Sequence, residues 1–227
     1  MNELCRFDLR TTDAVAARAF YATLLGHDRS NVWPLHEQAL ARGARPHWLG
    51  RLAVDDVERK AAALVQRGAT QFGPMHPTAD GGHAVVLRDP GGAIVAVGTP
   101  PSAATPVDVV WHVLNTNDAA LACATYRELF GWEIGDRTDL GAPFAWHAGG
   151  ENVGIIADIA GRPSVHPHWL FFFEVESVDS AIAAVRAGGG TTLQPLALPT
   201  GERFCACDDP QGAAFGLRSS PRRSMGR

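Results

Sequence analysis

Two spacings of apolar residues alternate along the chain, a short one that marks strands and a three-to-four residue one that marks amphipathic helices. Phe7-Asp-Leu-Arg10 reads as a strand, and Thr11, Thr12 and Asp13 supply a helix cap. Val15, Ala19 and Ala22 then follow one helical stripe and Phe20 with Leu24 a neighbouring one, until Gly26 stops the helix. Residues 27–45 carry little period; only Val32-Trp33 is strand-like, and Glu37 to Arg42 favours helix by composition. Pro46-His-Trp-Leu49 opens a second strand running to Val54, capped by Asp55-Asp56, and Val57, Ala61, Leu64 and Val65 predict an amphipathic helix ended by Gly68. Ala84 to Leu87, the turn Asp89-Pro-Gly-Gly92 and Ala93 to Val97 predict a hairpin.

The same order returns. Trp111-His-Val-Leu-Asn-Thr-Asn-Asp118 is a strand and cap, and Leu121, Thr125 and Leu129 mark a helix that Gly131 ends. Phe144 to His147 and Asn152 to Ile156, split by Gly149-Gly150, read as a hairpin. Pro167-His-Trp-Leu170 repeats Pro46-His-Trp-Leu49, and Val178, Ile182 and Val185 repeat Val57, Ala61 and Leu64. Cys205-Ala-Cys207 and Asp209-Pro-Gln-Gly212 stand where Val85 to Leu87 and Asp89 to Gly92 stood. Four strand-helix-strands units in the order A, B, A′, B′ follow, an α+β architecture. The first unit is truncated, since residues 27–45 are too few for three ordinary strands. The proline-rich residues 101–106 suit a linker between domain 1 (1–100) and domain 2 (107–218), and 219–227 reads as a disordered tail.

Composition narrows the class. With 227 residues, 46% of them hydrophobic, the chain can bury one large or two small cores. A net charge of −4 with scattered basic residues gives no footprint for nucleic acid. No apolar run is long enough to span a bilayer, and Met1 to Arg6 has no leader-like pattern. A cytoplasmic protein with no membrane partner is expected. The cysteines at 5, 123, 205 and 207 form neither a CxxC motif nor a disulfide framework. Cys205 and Cys207 should share a strand face as small buried hydrophobes. No GxSxG, P-loop, dinucleotide fingerprint or HExxH is present.

The helix endings Phe20-Tyr-Ala-Thr-Leu-Leu-Gly26 and Tyr126-Arg-Glu-Leu-Phe-Gly-Trp-Glu133, with the two Asp-Pro-x-Gly turns before final strands, resemble the vicinal-oxygen-chelate superfamily. That group holds glyoxalases, bleomycin-resistance proteins and extradiol dioxygenases, and the tandem layout is most similar to its two-domain glyoxalase-like members. The resemblance implies tandem βαβββ modules forming two curved-sheet domains, each around a small-molecule site. It also implies metal ligands on the first strand of a module, seven residues before the helix cap, and on the strand after the Asp-Pro-x-Gly turn. Carried over, these positions are Arg6, Leu49, Trp111 and Leu170, then Ala96 and Gly216, and none offers a usable donor.

A small organic ligand bound in a sheet-lined cavity without a metal cofactor is therefore the first expectation, held or acted on by acid-base chemistry. Its candidate binding residues are Arg6, Asp8, Trp111, Trp146, Trp169, Phe172 and Glu174, with Arg10 as a further inward charge. The charged members would serve the ligand, pair with one another, or lie exposed beside the short first module. The alternative is a metal-dependent lyase, isomerase or dioxygenase with relocated ligands, His112, His168 and Glu174, holding a divalent ion such as Zn, Fe, Mn or Ni. His47 and His168, at equivalent strand entries, read chiefly as solvated rim residues, and His147 and Glu202 as surface groups. A third reading is an interaction module with its cavities filled by Trp and Phe. The short first module would leave a sheet edge that a second copy could cover as a homodimer.

Overall fold

The two halves of the repeat build two sheets. The computed structural model describes residues 3–26, 31–101, 109–135, 147–148 and 151–221. The first half runs β1 (Leu4–Thr11), α1 (Ala14–Leu25), β2 (Val32–Pro34), α2 (Glu37–Ala41), β3 (His47–Ala53), α3 (Val57–Gln66), β4 (Thr70–Gln71), β5 (His76–Pro77), β6 (His83–Arg88) and β7 (Ile94–Gly98). The second runs β8 (Val109–Thr116), α4 (Ala119–Phe130), β9 (His147–Ala148), β10 (Glu151–Asn152), β11 (Gly154–Asp158), β12 (His168–Glu174), α5 (Val178–Ala187), β13 (Thr191–Thr192), β14 (Leu196–Ala197), β15 (Arg203–Asp208) and β16 (Ala214–Ser219). The first seven-stranded sheet has the order β2-β1-β3-β7-β6-β4 with β5 on β6, and the second has β11-β8-β12-β16-β15-β13 with β14 on β15. β9 and β10 form a separate antiparallel ribbon. The chain is α+β with the expected tandem βαβββ order. The first module is short as anticipated: β2 lies parallel to β1, and the five-residue α2 follows it.

The caps match the polar residues that announced them. Asp13, Asp56 and Asp118 accept backbone N–H groups in the first turns of α1, α3 and α4, and Ser177 does the same for α5. Gly26 and Gly131 end α1 and α4 in the left-handed conformation, with φ of 78° and 69°, which a glycine adopts without a Cβ penalty. Val178, Ile182 and Val185 of α5 and Val57, Ala61 and Leu64 of α3 are buried as predicted. Val65 is exposed.

The stripe on α1 is different. Its buried residues are Ala17, Phe20 and Tyr21, while Val15 is 79% exposed. With almost no charge on the helix, several apolar stripes compete, and contact with the aromatic core chooses between them. On α4 the buried face likewise centres on Ala122, Tyr126 and Phe130, with Thr125 beneath it and Leu121 and Leu129 at its margin.

By contacts, the described residues group into two compact units, one from 1–7, 49–107 and 112–170, the other from 8–48, 108–111 and 171–227. In the first, Tyr126 of α4 donates to Asp89 of the Asp-Pro-Gly-Gly turn at 2.8 Å. Trp132 stacks on Tyr126 with centroids 4.4 Å apart, and Trp169 meets Tyr126 edge-on. Lys60 bonds the Leu129 carbonyl and Arg67 pairs with Glu128, tying α3 to α4. In the second unit Tyr21 of α1 donates to Asp209 of the Asp-Pro-Gln-Gly turn at 3.2 Å and accepts from Trp48 Nε1 at 3.0 Å. Phe20, Phe173 and Phe215 close around it. Each unit thus uses one device, a helix tyrosine on a turn aspartate, and each joins residues from both halves of the sequence.

The aspartates also hold their own turns. Asp89 Oδ1 accepts from Ala93 N at 2.8 Å and Asp209 Oδ1 from Ala213 N at 2.9 Å, so both carboxylates are buried yet bonded. Burial raises both pKa values above the ordinary carboxylate range, against the pull of these bonds.

Candidate functional site

Charged residues on the first sheet converge on one buried arginine. Arg51 of β3 is the register partner of Ala96 on β7, so both side chains leave the sheet on one face. Its guanidinium donates from Nη1 to Asp80 Oδ1 at 3.2 Å and from Nη2 to Asp80 Oδ2, a two-pronged pairing. Arg6 Nη1 lies 3.5 Å from the same Oδ2. The side chains of Arg6, Arg51 and Asp80 are 11%, 5% and 14% exposed, so the cluster is sheltered throughout. The Arg51 hydrogen bonds hold Asp80 far below the ordinary carboxylate range, against the opposing effect of burial. Burial works against the charge of Arg51, and the bond and charge of Asp80 more than offset it, raising its pKa. Cys5 Sγ contacts the Arg51 carbonyl at 3.4 Å, and burial pushes its thiol pKa up. The Arg51 Nε atom is buried and has no acceptor among the described residues.

The corresponding face of the second sheet is aromatic. Phe172 of β12 is the register partner of Gly216 on β16, and a Cβ added to Gly216 would clash with the Phe172 ring, 2.2 Å from its nearest atom. Phe204 of β15 pairs with Arg218 of β16. Phe204 lies 5.8 Å from the Trp111 ring and 5.6 Å from Phe172. The Arg218 guanidinium stands 5.7 Å above Trp111 and is held by Glu202, with the Val110 carbonyl 3.5 Å from its Nη1. Trp111 is 7% exposed, and its Nε1 too has no acceptor among the described residues.

Not every expected residue joins these groups. Asp8 accepts from Trp33 Nε1 at 3.3 Å and lies 4.0 Å from Arg10, so it pairs locally. Trp169 sits against Tyr126 and Trp132 in the helix-side core rather than beside Phe172, because adjacent strand positions face opposite ways. Glu174 is exposed at the end of β12 and accepts from Ser220 N at 3.0 Å. Trp146 lies outside the described residues, as does most of the 101–106 linker, and no side-chain placement is described for His147. Glu202 belongs to an ion pair, not to open surface.

The histidines take separate places. His112 is 7% exposed, stacks on Phe7 at 5.6 Å, and its Nδ1 lies 2.9 Å from the Val153 carbonyl. Burial lowers its pKa to about 4. His168 Nδ1 lies 2.7 Å from the His166 carbonyl and its Nε2 3.3 Å from Asn115. His47 Nδ1 lies 2.7 Å from the Arg45 carbonyl, the same arrangement at the equivalent repeat position. His47 is half-buried at the start of β3, and burial lowers its pKa. Among the described residues no three of His, Cys, Asp and Glu gather where they could hold a metal, so His112, His168 and Glu174 are not brought together. Cys205 and Cys207 are buried on one face of β15 with Sγ atoms 3.8 Å apart, as small core residues.

Comparison with known proteins fits this layout. Residues 109–217 match the family described as the Glyoxalase/Bleomycin resistance protein/Dioxygenase superfamily. This half of the chain belongs to that superfamily. A protein of Mycobacterium bovis named "Putative glyoxylase CFP32" is 29% identical over 254 aligned positions, covering 95% of this chain and 94% of that one. The 2,3-dioxygenase LapB from Pseudomonas sp. KL28 superposes with a TM-score of 0.62 at 13% identity, covering 97% of this chain and 94% of LapB. The Mn(II)-bound glyoxalase from Novosphingobium aromaticivorans gives a TM-score of 0.62 at 15% identity, covering 96% of this chain and 82% of that one. The likeness in fold to these structures covers both halves of the chain. No helix among the described residues is long and apolar enough to cross a membrane.

The residues at the implied metal positions do not suit a metal. Arg6 is a permanent cation and Leu49, Ala96, Trp111, Leu170 and Gly216 carry no ligating atom. At Gly216 the Phe172 ring also takes the space a ligating side chain would need. Sequence reasoning missed Arg51, Asp80 and Arg218. Arg51 had a signal, a lone charge inside the apolar strand His47–Ala53, whereas Asp80 sits in a glycine-rich loop that resembles any surface turn.

Proposed function

We propose that this protein binds a small organic molecule on its sheet faces without the metal centre typical of the superfamily. One observation carries the reading: each sheet face keeps a buried N–H, Arg51 Nε in the first and Trp111 Nε1 in the second, with no acceptor among the described residues. A buried donor left unbonded costs about 1–3 kcal/mol, so an oxygen-bearing ligand that accepts from it recovers that loss. Trp111, Phe172 and Phe204 add flat apolar surface, which suits an organic ligand better than a hydrated ion. The name of the mycobacterial relative and the dioxygenase and glyoxalase neighbours support a reading among proteins that handle small organic substrates.

Native mass spectrometry of gently purified protein, paired with elemental analysis, tests this. The expected result is a bound organic species, or one acquired from a metabolite extract, with metal well below one equivalent. Stoichiometric zinc, iron, manganese or nickel would overturn the metal-free part of the reading. Failure to take up any organic species would overturn the rest.

A further inference from the structure

We propose that the Arg51 guanidinium is the seat for a carboxylate of the ligand, and that the turn carrying Asp80 holds that seat until the ligand displaces it. This rests on the small-molecule reading above and names the chemical class that site would take. Arg51 is anchored within β3, its side chain 5% exposed, and presents two N–H groups to two oxygens of one planar carboxylate. That fork is the geometry by which arginine recognises carboxylates. A free organic acid offers the same pair of oxygens, and the neighbouring Nε, buried without an acceptor among the described residues, provides a further donor.

Asp80 is a carboxylate of a different standing from one built into a sheet. It belongs to the turn between β5 and β6, where Thr78 N bonds the Gly82 carbonyl at 2.8 Å and Gly81 N bonds the Thr78 carbonyl at 3.0 Å. His76, Pro77, Ala79 and Gly81 around it are exposed, whereas the Asp80 carboxylate reaches inward to the arginines. If the carboxylate turned back to water, the turn would keep its own backbone bonds. Thr78 Oγ1, which bonds Asp80, also accepts from Gly82 N within the turn and would stay there.

The second half repeats the arrangement with other residues. Its equivalent turn, where Leu198 N bonds the Glu202 carbonyl at 2.9 Å and Gly201 N the Leu198 carbonyl at 2.9 Å, sends Glu202 onto Arg218. Asp80 and Glu202 occupy different places in their turns, and Arg51 and Arg218 come from different strands of their modules. A turn-borne acid on a strand-borne arginine is thus present in both halves without positional identity, which favours a requirement for the charge pair over simple inheritance of one residue.

Displacement predicts that the acid competes with ligand. Binding is weakened by the fraction of time Asp80 occupies the guanidinium, so removing its charge should tighten carboxylate binding about tenfold or more. Calorimetric titration at matched ionic strength with acetate and benzoate, against acetamide, benzamide and inorganic phosphate, would read this in the wild type, Asp80→Asn, Arg51→Lys and Arg51→Met. Circular dichroism establishes that each variant is folded. The expected pattern is tighter carboxylate binding in D80N, weaker binding in R51K, which keeps charge but loses the fork, none in R51M, and no binding of the amides. Phosphate binding as tightly as the carboxylates would overturn the assignment to a planar acid. Equal affinity of D80N and wild type, or binding that survives R51M, would overturn the proposal itself. A neutral organic molecule recovered by native mass spectrometry would sink this inference while leaving the small-molecule reading standing.

Discussion

Tyr126 and Asp89 stand 37 residues apart in the chain and are joined by a buried O–H···O bond of 2.8 Å, so the helix of one module is fastened to the closing turn of another. Burial raises the Tyr126 pKa well above its ordinary value, and Asp89 raises it further, so the phenol remains a donor. Tyr126→Phe leaves the ring in place and removes only that donor. The expected loss is about 1–3 kcal/mol, read as a lower urea midpoint at unchanged slope. A midpoint equal to that of the wild type would show that the bond contributes nothing net.

His112 should give the protein a defined acid sensitivity. Its folded pKa of about 4 lies below the ordinary 6.5 because burial disfavours the cation. The folded state thus prefers neutral His112, and the associated stability is present above pH 6.5 and lost as pH falls toward 4. His112→Phe keeps an aromatic partner for Phe7 and removes the titration. The wild-type minus variant stability should fall by about 3 kcal/mol across that window, measured by urea unfolding at several pH values. Parallel curves would refute the assignment.

Asp80 acts at the other extreme. Its pKa is held below the ordinary range by Arg51, so its contribution is present above the unfolded carboxylate value and lost as pH falls below it. The wild type should exceed D80N in melting temperature at neutral pH, with the gap narrowing in acid. Arg51→Met should cost about 3 kcal/mol at neutral pH, as breaking a sheltered ion pair does. A gap that widened in acid would have the wrong sign for this pair.

Gly216 and Phe172 form a direct steric pair, since the ring lies where a Cβ would go. Gly216→Ala should destabilise by about 1–3 kcal/mol through overpacking. Phe172→Ala should cost more, through the lost ring, yet the double variant should be more stable than the sum of the two changes implies. Additive losses would mean that the ring moves aside freely and does not guard the position.

Burial raises the thiol pKa values of Cys205 and Cys207, and both side chains lie within the helix-side core. A thiol reagent should leave them untouched in the native protein while titrating all four cysteines after denaturation. Rapid native reaction of either would mean that the strand opens.

Much of the architecture is legible in the repeat itself. The aspartates at 13, 56 and 118, the glycines at 26 and 131, and the paired Asp-Pro-x-Gly turns act over a few residues, through caps and turn geometry that need no distant partner. The buried stripe of α1 is not legible in this way, because Val15, Ala19 and Phe20 are all apolar and only long-range contact tells them apart. Trp169 departs from its expected place for a related reason: an unbroken apolar run such as residues 169–173 of β12 does not announce which alternate positions face the core.

The sequence by itself determined the order of elements, the tandem modules and the want of metal donors at the implied positions, because these follow from residue identity and local spacing. Only the tertiary structure decided that Asp80 meets Arg51, that Tyr21 and Tyr126 reach aspartates in other modules, and that Phe172 lies over Gly216. Each of those pairs depends on where chain segments far apart in sequence come together, and a charge or a ring carries no local mark of the partner it will find.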